Sequence, residues 1–258
     1  MFEHQLKKKL RNRELTIGSW VTIGNQAIIE ILSSAGFEWL TIDLEHTVIS
    51  LEMAQTLIAS TQANNMAALV RVSKNEEVVI KRVLDAGANG VIVPMVCSAE
   101  QARQAVEFVK YPPIGKRGVG LNRAQKYGVG FDEYKNWLSN NSVVIAQIEH
   151  ILGVKNIEEI ITTDGIDGVI VGPYDLSGSM GFPGEYTRDD VKDALKLIEQ
   201  ACKKHQVSLG YHVIEPDHEI LNKQIKQGYN FIAFSVDFLF LGQKAREEMR
   251  LLDMAPSH

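Results

Sequence analysis

Two short stretches of this 258-residue chain end on carboxylates suited to a metal ion: Gln147-Ile148-Glu149 and Gly172-Pro173-Tyr174-Asp175-Leu176-Ser177. Each follows an apolar, β-branched run, Val143 to Gln147 and Gly168 to Val171, of the kind that forms a strand buried on both faces of a parallel sheet. An ionised carboxylate inside such a strand carries a large desolvation cost, so the acids belong at its open end. Two acids at strand ends that share a crevice suit a hard divalent cation such as Mg²⁺, Mn²⁺ or Co²⁺. The competing assignment makes Glu149 and Asp175 helix caps or surface acids, and on the residues alone the two stand level.

Other apolar runs also close on polar groups. Trp39 to Asp43 leads into Leu44-Glu45-His46, Arg71 closes Ala67-Ala68-Leu69-Val70, and His212 closes the run from Ser208. Asp43 and His46 are three apart, so in a loop or first helical turn the acid can hold the imidazole and raise its basicity for proton transfer. The bland reading of Arg71 is a salt bridge within the rim. His212, beside Val213, reads as a lining residue. Cys97 and Cys202 have neither a CxxC partner nor metal-ligand spacing and read as packing residues.

The elements that must position these groups alternate. Strand-like runs at Thr16 to Thr22, Trp39 to Asp43, Ala67 to Val72, Gly90 to Pro94, Val143 to Glu149, Gly168 to Gly172, Ser208 to His212 and Phe231 to Ser235 are separated by helical patterns. Those patterns run over Ala27 to Ala35, Leu51 to Ala63, Glu76 to Ala86, Ala99 to Val109, Val154 to Thr162, Arg188 to His205, Pro216 to Gln227 and Phe238 to Leu251. Gly36, Gly87 and Gly228 sit where helices close in the left-handed conformation. Eight βα units predict an α/β fold, a (β/α)8 TIM barrel forming one domain over residues 1–258, with its site at the C-terminal ends of the strands. A doubly wound open sheet is the alternative, but its Gly-rich phosphate turn is absent. Residues 2–13 read as an amphipathic helix closing the barrel floor. Residues 111–141, rich in glycine and aromatics, read as an ordered insertion near the site or at a subunit contact. Residues 238–251 read as a C-terminal helix.

Composition narrows the partners. With 45% hydrophobic and 23% charged residues and a net charge of −5, acids and bases interspersed, the chain has no basic stripe for nucleic acid. No apolar run reaches the roughly 18 to 20 residues of a membrane span, and the start lacks the apolar core of a signal peptide. The expectation is a cytoplasmic protein acting on small molecules.

Taken in order, Ile42-Asp43-Leu44-Glu45-His46, Val70-Arg71-Val72, Lys81-Arg82-Val83-Leu84-Asp85-Ala86-Gly87-Ala88, Tyr111-Pro112-Pro113-Ile114-Gly115-Lys116-Arg117-Gly118-Val119-Gly120 and the two stretches first quoted resemble the HpcH/HpaI aldolase family. These class II pyruvate aldolases include 4-hydroxy-2-oxoheptanedioate and 2-keto-3-deoxy sugar acid enzymes, and the likeness runs from about Gly18 to Phe240. The resemblance implies reversible cleavage of a 4-hydroxy-2-oxo acid to pyruvate and an aldehyde through a metal-stabilised enolate. It implies that Glu149 and Asp175 bind the divalent metal, that Arg71 contacts the keto oxygen, and that His46, oriented by Asp43, serves proton transfer. It further implies that the backbone around Gly172, Pro173, Tyr174 and Asp175 holds the pyruvate carboxylate, with Glu45 behind these groups. Asp85 would reach a neighbouring subunit's site in a homo-oligomer, commonly a hexamer, assembled partly through the C-terminal helix.

One position departs from the pattern. His150 follows Glu149 where the best-studied members carry a small hydroxyl residue, so it is either an added lining group or the start of a helix. Lys74 and Lys81 fall on a loop or helix, which disfavours imine chemistry. The alternatives are an oxaloacetate decarboxylase, a citrate lyase β-type CoA-thioester lyase, or a catalytically silent barrel that binds an oxo acid.

Overall fold

Short β-branched runs with turn signals at both ends become eight strands in the computed structural model, which describes residues 4–252. They are β1 (Thr16–Val21), β2 (Trp39–Asp43), β3 (Ala67–Arg71), β4 (Gly90–Val93), β5 (Val143–Ile148), β6 (Gly168–Val171), β7 (Ser208–Val213) and β8 (Phe231–Val236). All pair in parallel with their sequence neighbours, and β8 closes on β1. The fold is a single-domain (β/α)8 barrel.

The helices are α1 (Leu6–Asn12), α2 (Gln26–Ser33), α3 (Leu51–Ala63), α4 (Glu77–Asp85), α5 (Ala99–Val109), α6 (Phe131–Asn141), α7 (Ile151–Lys155), α8 (Ile157–Ile161), α9 (Pro173–Ser179), α10 (Asp189–His205), α11 (His218–Gln227) and α12 (Asp237–Leu251). Gly36, Gly87 and Gly228 close helices at φ 87°, 105° and 101°, the conformation expected of them. The helix expected over Val154 to Thr162 is two, α7 and α8. They are interrupted at Asn156, whose side chain donates to the Cys97 carbonyl at 2.8 Å instead of continuing one regular helix. None of the described helices is long and apolar enough to cross a membrane.

The pleat divides the core in two. One face of each strand packs against the helices, while the alternate residues Trp20, Trp39, Ala67, Leu69, Ile92, Val143, Ile145, Ile170, Phe231 and Ala233 fill the barrel. Leu6 and Leu10 of α1 join that inner cluster from below. Lys7 fixes the plug, donating to the Asp167 carboxylate at 2.8 Å and the Ser142 carbonyl at 2.6 Å at the feet of β6 and β5. Phe2 and Glu3 of the expected floor helix lie outside the described residues.

In the lower barrel, Trp39 stacks on Phe231 at 4.4 Å and fills the space left by Gly18. A Cβ on Gly18 would sit 2.1 Å from the Trp39 ring. Gly18→Ala is therefore expected to cost about 3 kcal/mol or more of stability by overpacking, read as a lower urea midpoint. A midpoint like that of the wild type would show that the Trp39 layer can repack.

Residues 111–141 contain a 3-10 segment, Arg123–Gly128, and α6, and they connect the end of α5 to the start of β5. Such αβ connections lie at the N-terminal end of the barrel, so in its own subunit this insertion is remote from the strands' C-terminal mouth.

Candidate active site

Alternation along the strands decides which groups meet at the mouth. The inner series Trp39-Thr41-Asp43, Ala67-Leu69-Arg71, Val143-Ile145-Gln147 and Ser208-Gly210-His212 each end on a polar side chain at the strand's C-terminal end. Asp43, Arg71, Gln147 and His212 line one cavity of about 420 Å³ together with Trp20, His46, Gly172, Pro173, Tyr174 and Asp175. That volume suits a small ligand. No lysine lines it among the described residues, and Lys74 and Lys81 instead pair with Glu76 and Glu77.

Arg71 is the most constrained of these groups. β2 and β3 are in register with Asp43 opposite Arg71, so the two inward side chains face each other. The Asp43 carboxylate accepts from Arg71 Nε at 2.9 Å and Nη2 at 2.6 Å, a bidentate pair, and Glu45 lies 3.3 Å from Nη1. The guanidinium carbon stands 5.3 Å from the Trp20 ring centre. Burial alone would lower the Arg71 pKa, but the hydrogen bonds and charge of Asp43, with Glu45 and Glu149, carry it above its usual value. The site thus holds a fixed cation.

This arrangement corrects one expectation. Asp43 does not hold the His46 imidazole: its oxygens are taken by Arg71 and by the backbone N–H groups of Glu45 at 2.9 Å and His46 at 3.4 Å. The exposed His46 ring has Glu45 beside it, with Nε2 3.8 Å from the carboxylate.

Glu149 lies beneath the cavity, 3% exposed. It accepts from the Met95 N–H at 2.7 Å and from the Gln147 amide, and Met95 adopts φ 54° to present that N–H. Burial pushes the Glu149 carboxyl up to about 7; the two hydrogen bonds oppose the shift, and the charges of Glu45 and Asp175 add to it. Gly172 keeps the space open, since a Cβ there would stand 3.0 Å from Glu149 Oε2. Asp175 is exposed in the first turn of α9, a helix that starts with Pro173. The described residues contain no group of three or more His, Cys, Asp or Glu side chains placed to cage a metal. A carboxylate raised chiefly by burial, with the Glu45 and Asp175 charges adding, nonetheless fits a hard dication, and Mg²⁺ characteristically takes one or two protein carboxylates and completes its shell with substrate and water.

Residues 16–241 match the HpcH/HpaI aldolase/citrate lyase family. The chain belongs to this family. It is 35% identical to a 5-keto-4-deoxy-D-glucarate aldolase of Klebsiella pneumoniae and 34% identical to a 2-dehydro-3,6-dideoxy-6-sulfogluconate aldolase of Pseudomonas putida, each covering 92% of both chains. Its fold superposes on an HpcH/HpaI aldolase/citrate lyase family protein of Burkholderia cenocepacia with a TM-score of 0.91, at 30% identity over 96% of this chain and 98% of the other.

Of the expected residues of this HpcH/HpaI family barrel, Glu45 and Glu149 stand just behind the cavity lining, whereas Asp85 and His150 are turned to other contacts. Asp85, at the C-terminal end of α4, pairs with the buried Arg117 of the insertion at the opposite end of the barrel. His150 caps α7, its Nδ1 accepting from the Leu152 N–H at 3.1 Å, and does not line the cavity. Of its two sequence readings, the structure places the helix start.

Trp20 and Gln147 were not singled out from the sequence, although both are legible as the upper inward positions of their strands. Gln147 orients Glu149, and its Oε1 has no hydrogen-bond partner. Trp20 stacks on His212 at 4.7 Å. Asp237 was also missed. Its carboxylate accepts from the Thr22 and Ile23 N–H groups at 2.8 and 2.7 Å, tying the end of β1 to the start of α12.

His212 Nε2–H donates to the Ser235 carbonyl at 3.1 Å, and Ser235 adopts φ 54°. Burial pushes the His212 imidazole down to about 4 from 6.5, against that hydrogen bond and with the Arg71 charge assisting. The folded state therefore keeps His212 neutral where the unfolded chain protonates it. Stability is unaffected above pH 6.5 and is lost as pH falls from 6.5 towards 4, by on the order of 3 kcal/mol in full. His212→Gln is expected to flatten this acid limb in urea unfolding measured from pH 7 to 4, and an unchanged limb would assign it to other groups.

Proposed function

We propose that this protein is a metal-dependent aldolase that reversibly cleaves a 4-hydroxy-2-oxo acid to pyruvate and an aldehyde, working as a cytoplasmic homo-oligomer, a hexamer by family likeness. At the coarser level it is a carbon–carbon lyase. The observation that carries the finer reading is the fixed Arg71 cation sharing one cavity with Asp175 of α9, above the buried Glu149 carboxylate that follows β5.

Glu149 and Asp175 would hold Mg²⁺, Mn²⁺ or Co²⁺, with the Gln147 amide keeping Glu149 in place. A cation bound there supplies Lewis-acid charge for the oxygens of an oxo acid. Arg71 supplies N–H donors for the 2-oxo oxygen as negative charge develops on it, and Asp43 and Glu45 fix those donors before the substrate arrives. The N–H groups of Tyr174 and Asp175, in the first turn of α9 and without acceptors inside the helix, suit the substrate carboxylate.

In cleavage the C3–C4 bond breaks, its electron pair moves to C3 and into the enolate, and the C4 hydroxyl proton leaves as the aldehyde forms. His46, at the open rim beside Glu45, takes that proton to solvent. Protonation of C3 then gives pyruvate. Asp85 has no path to its own subunit's cavity, which supports the reading that it serves a neighbour.

The test is deuterium exchange into the pyruvate methyl group, followed by NMR with Mn²⁺ or Mg²⁺ and with chelator. It requires enolate formation but no knowledge of the aldehyde. Metal-dependent exchange is expected; folded protein with no exchange under any metal would remove the pyruvate reading.

A further inference from the structure

The two acids of the proposed metal site lie beyond the last pairs of the sheet. β5 and β6 pair as far as Ile148 opposite Val171, and the Gly172 N–H donates to the Ile148 carbonyl at 3.3 Å. Glu149 and Asp175 follow on separate connections, the first leading into α7 and the second within α9. A cation shared between them needs the separation of these connections to be held by something other than the strand ladder.

Ser179, at the end of α9, supplies such a link. Its Oγ accepts from the Ile151 N–H at 3.0 Å and donates to the Leu176 carbonyl at 2.7 Å. Ile151 is two residues past Glu149, and Leu176 is the residue after Asp175. One hydroxyl therefore joins the two acid-bearing segments, with its proton and a lone pair both used. Ile151 opens α7, where the backbone N–H has no acceptor inside its own helix.

Neighbouring and similar serines do less. Ser177 bonds the Tyr174 carbonyl at 2.7 Å and the Gly184 N–H at 3.0 Å, both within the connection that follows β6. Ser33 and Ser34, at the end of α2, make the same bond to a carbonyl three residues back, at 2.7 Å each. Ser179 differs from them in also accepting from a second helix, the one that Glu149 leads into.

We infer that Ser179 is a positioning residue for the metal, setting the separation of Glu149 and Asp175 through the chain beside each. This deepens the aldolase reading and rests on its assignment of those two carboxylates to the cation.

The experiment is calorimetric titration of Mn²⁺ into the metal-free full-length protein, with thermal midpoints recorded before metal is added. Ser179→Ala is expected to weaken Mn²⁺ binding about tenfold or more, and Ser179→Thr, which restores the hydroxyl, to recover most of that loss. Ser179→Cys keeps the shape with weaker hydrogen bonding and reads the same quantity should the alanine variant not fold. Wild-type Mn²⁺ affinity in the alanine variant, or in the cysteine variant in its place, makes Ser179 a structural cap even if the midpoint falls, and overturns the inference. A threonine variant that binds no tighter than alanine does the same. In either case the metal reading stands as long as Glu149→Gln loses Mn²⁺. No Mn²⁺ binding by the wild type, or undiminished binding by Glu149→Gln, removes the metal site and the inference together.

Discussion

Arg71→Lys is expected to lower pyruvate methyl exchange by about 10²- to 10³-fold while the barrel remains folded, because it removes a preorganised donor aimed at developing charge. The magnitude follows from geometry. Arg71 uses Nε and Nη2 on Asp43 and Nη1 near Glu45, and its planar face lies towards Trp20 at 5.3 Å. Lysine keeps the charge but has neither the fork nor the plane, so it satisfies Asp43 at one point and leaves the donor position undefined. Arg71→Ala is a harsher probe of a different quantity. Asp43 is 1% exposed, and stripping its partner leaves a buried carboxylate uncompensated, a loss of about 3 to 5 kcal/mol. Exchange rates for the lysine variant, with thermal melting alongside, separate the two effects. Exchange near the wild-type rate in a folded Arg71→Lys protein would place oxyanion stabilisation elsewhere.

The barrel was legible because its strands are apolar on both faces and short, so each βα unit announces itself. Ranges such as Trp39–Asp43, Leu51–Ala63 and Ala99–Val109 coincide with the elements formed. The miss at α9 has a physical cause. Pro173, Gly178 and two serines make Pro173–Ser179 a poor helix by propensity, and it forms because Pro suits the first helical position and Leu176 is buried.

At the site, residue type and strand end were readable but direction was not. Asp43 and His46, three apart, suggested an acid–imidazole pair, yet the pleat points Asp43 inward to its register partner Arg71 and leaves His46 on the loop. A period of two counted back from Arg71 and Glu149 marks Leu69, Gln147 and Ile145 as inward, a signal that would have found Gln147. Ser235 and Met95 were beyond reach. Their left-handed backbones, φ 54° in each, exist because the surrounding barrel imposes them, and one supports the His212 carbonyl contact while the other presents an N–H to Glu149. Tertiary enclosure carries that information, not local sequence.

Glu149→Gln nearly preserves shape while removing one of the two carboxylates, and it is expected to weaken Mn²⁺ binding roughly a hundredfold or more and to abolish detectable exchange. Titration by calorimetry reads the binding directly, independent of turnover. The metal-free protein supplies a second readout with the opposite sign. Burial holds the Glu149 carboxyl up at about 7, above its ordinary 4.5, so the fold retains a proton that the unfolded chain has released. Both states are protonated below 4.5; between 4.5 and 7 the unfolded state alone ionises, so native stability falls as pH rises through this window and stays reduced above it. The glutamine variant carries no such penalty and is expected to melt above the metal-free wild type at pH 8 and close to it near pH 4. Saturating Mn²⁺ reverses the order at pH 8, because only the wild type offers an ionised Glu149 to the cation. A variant that binds Mn²⁺ as tightly as the wild type would move the metal away from β5, and one that melts below the metal-free wild type at pH 8 would show that the Met95 and Gln147 hydrogen bonds outweigh the desolvation of the charge.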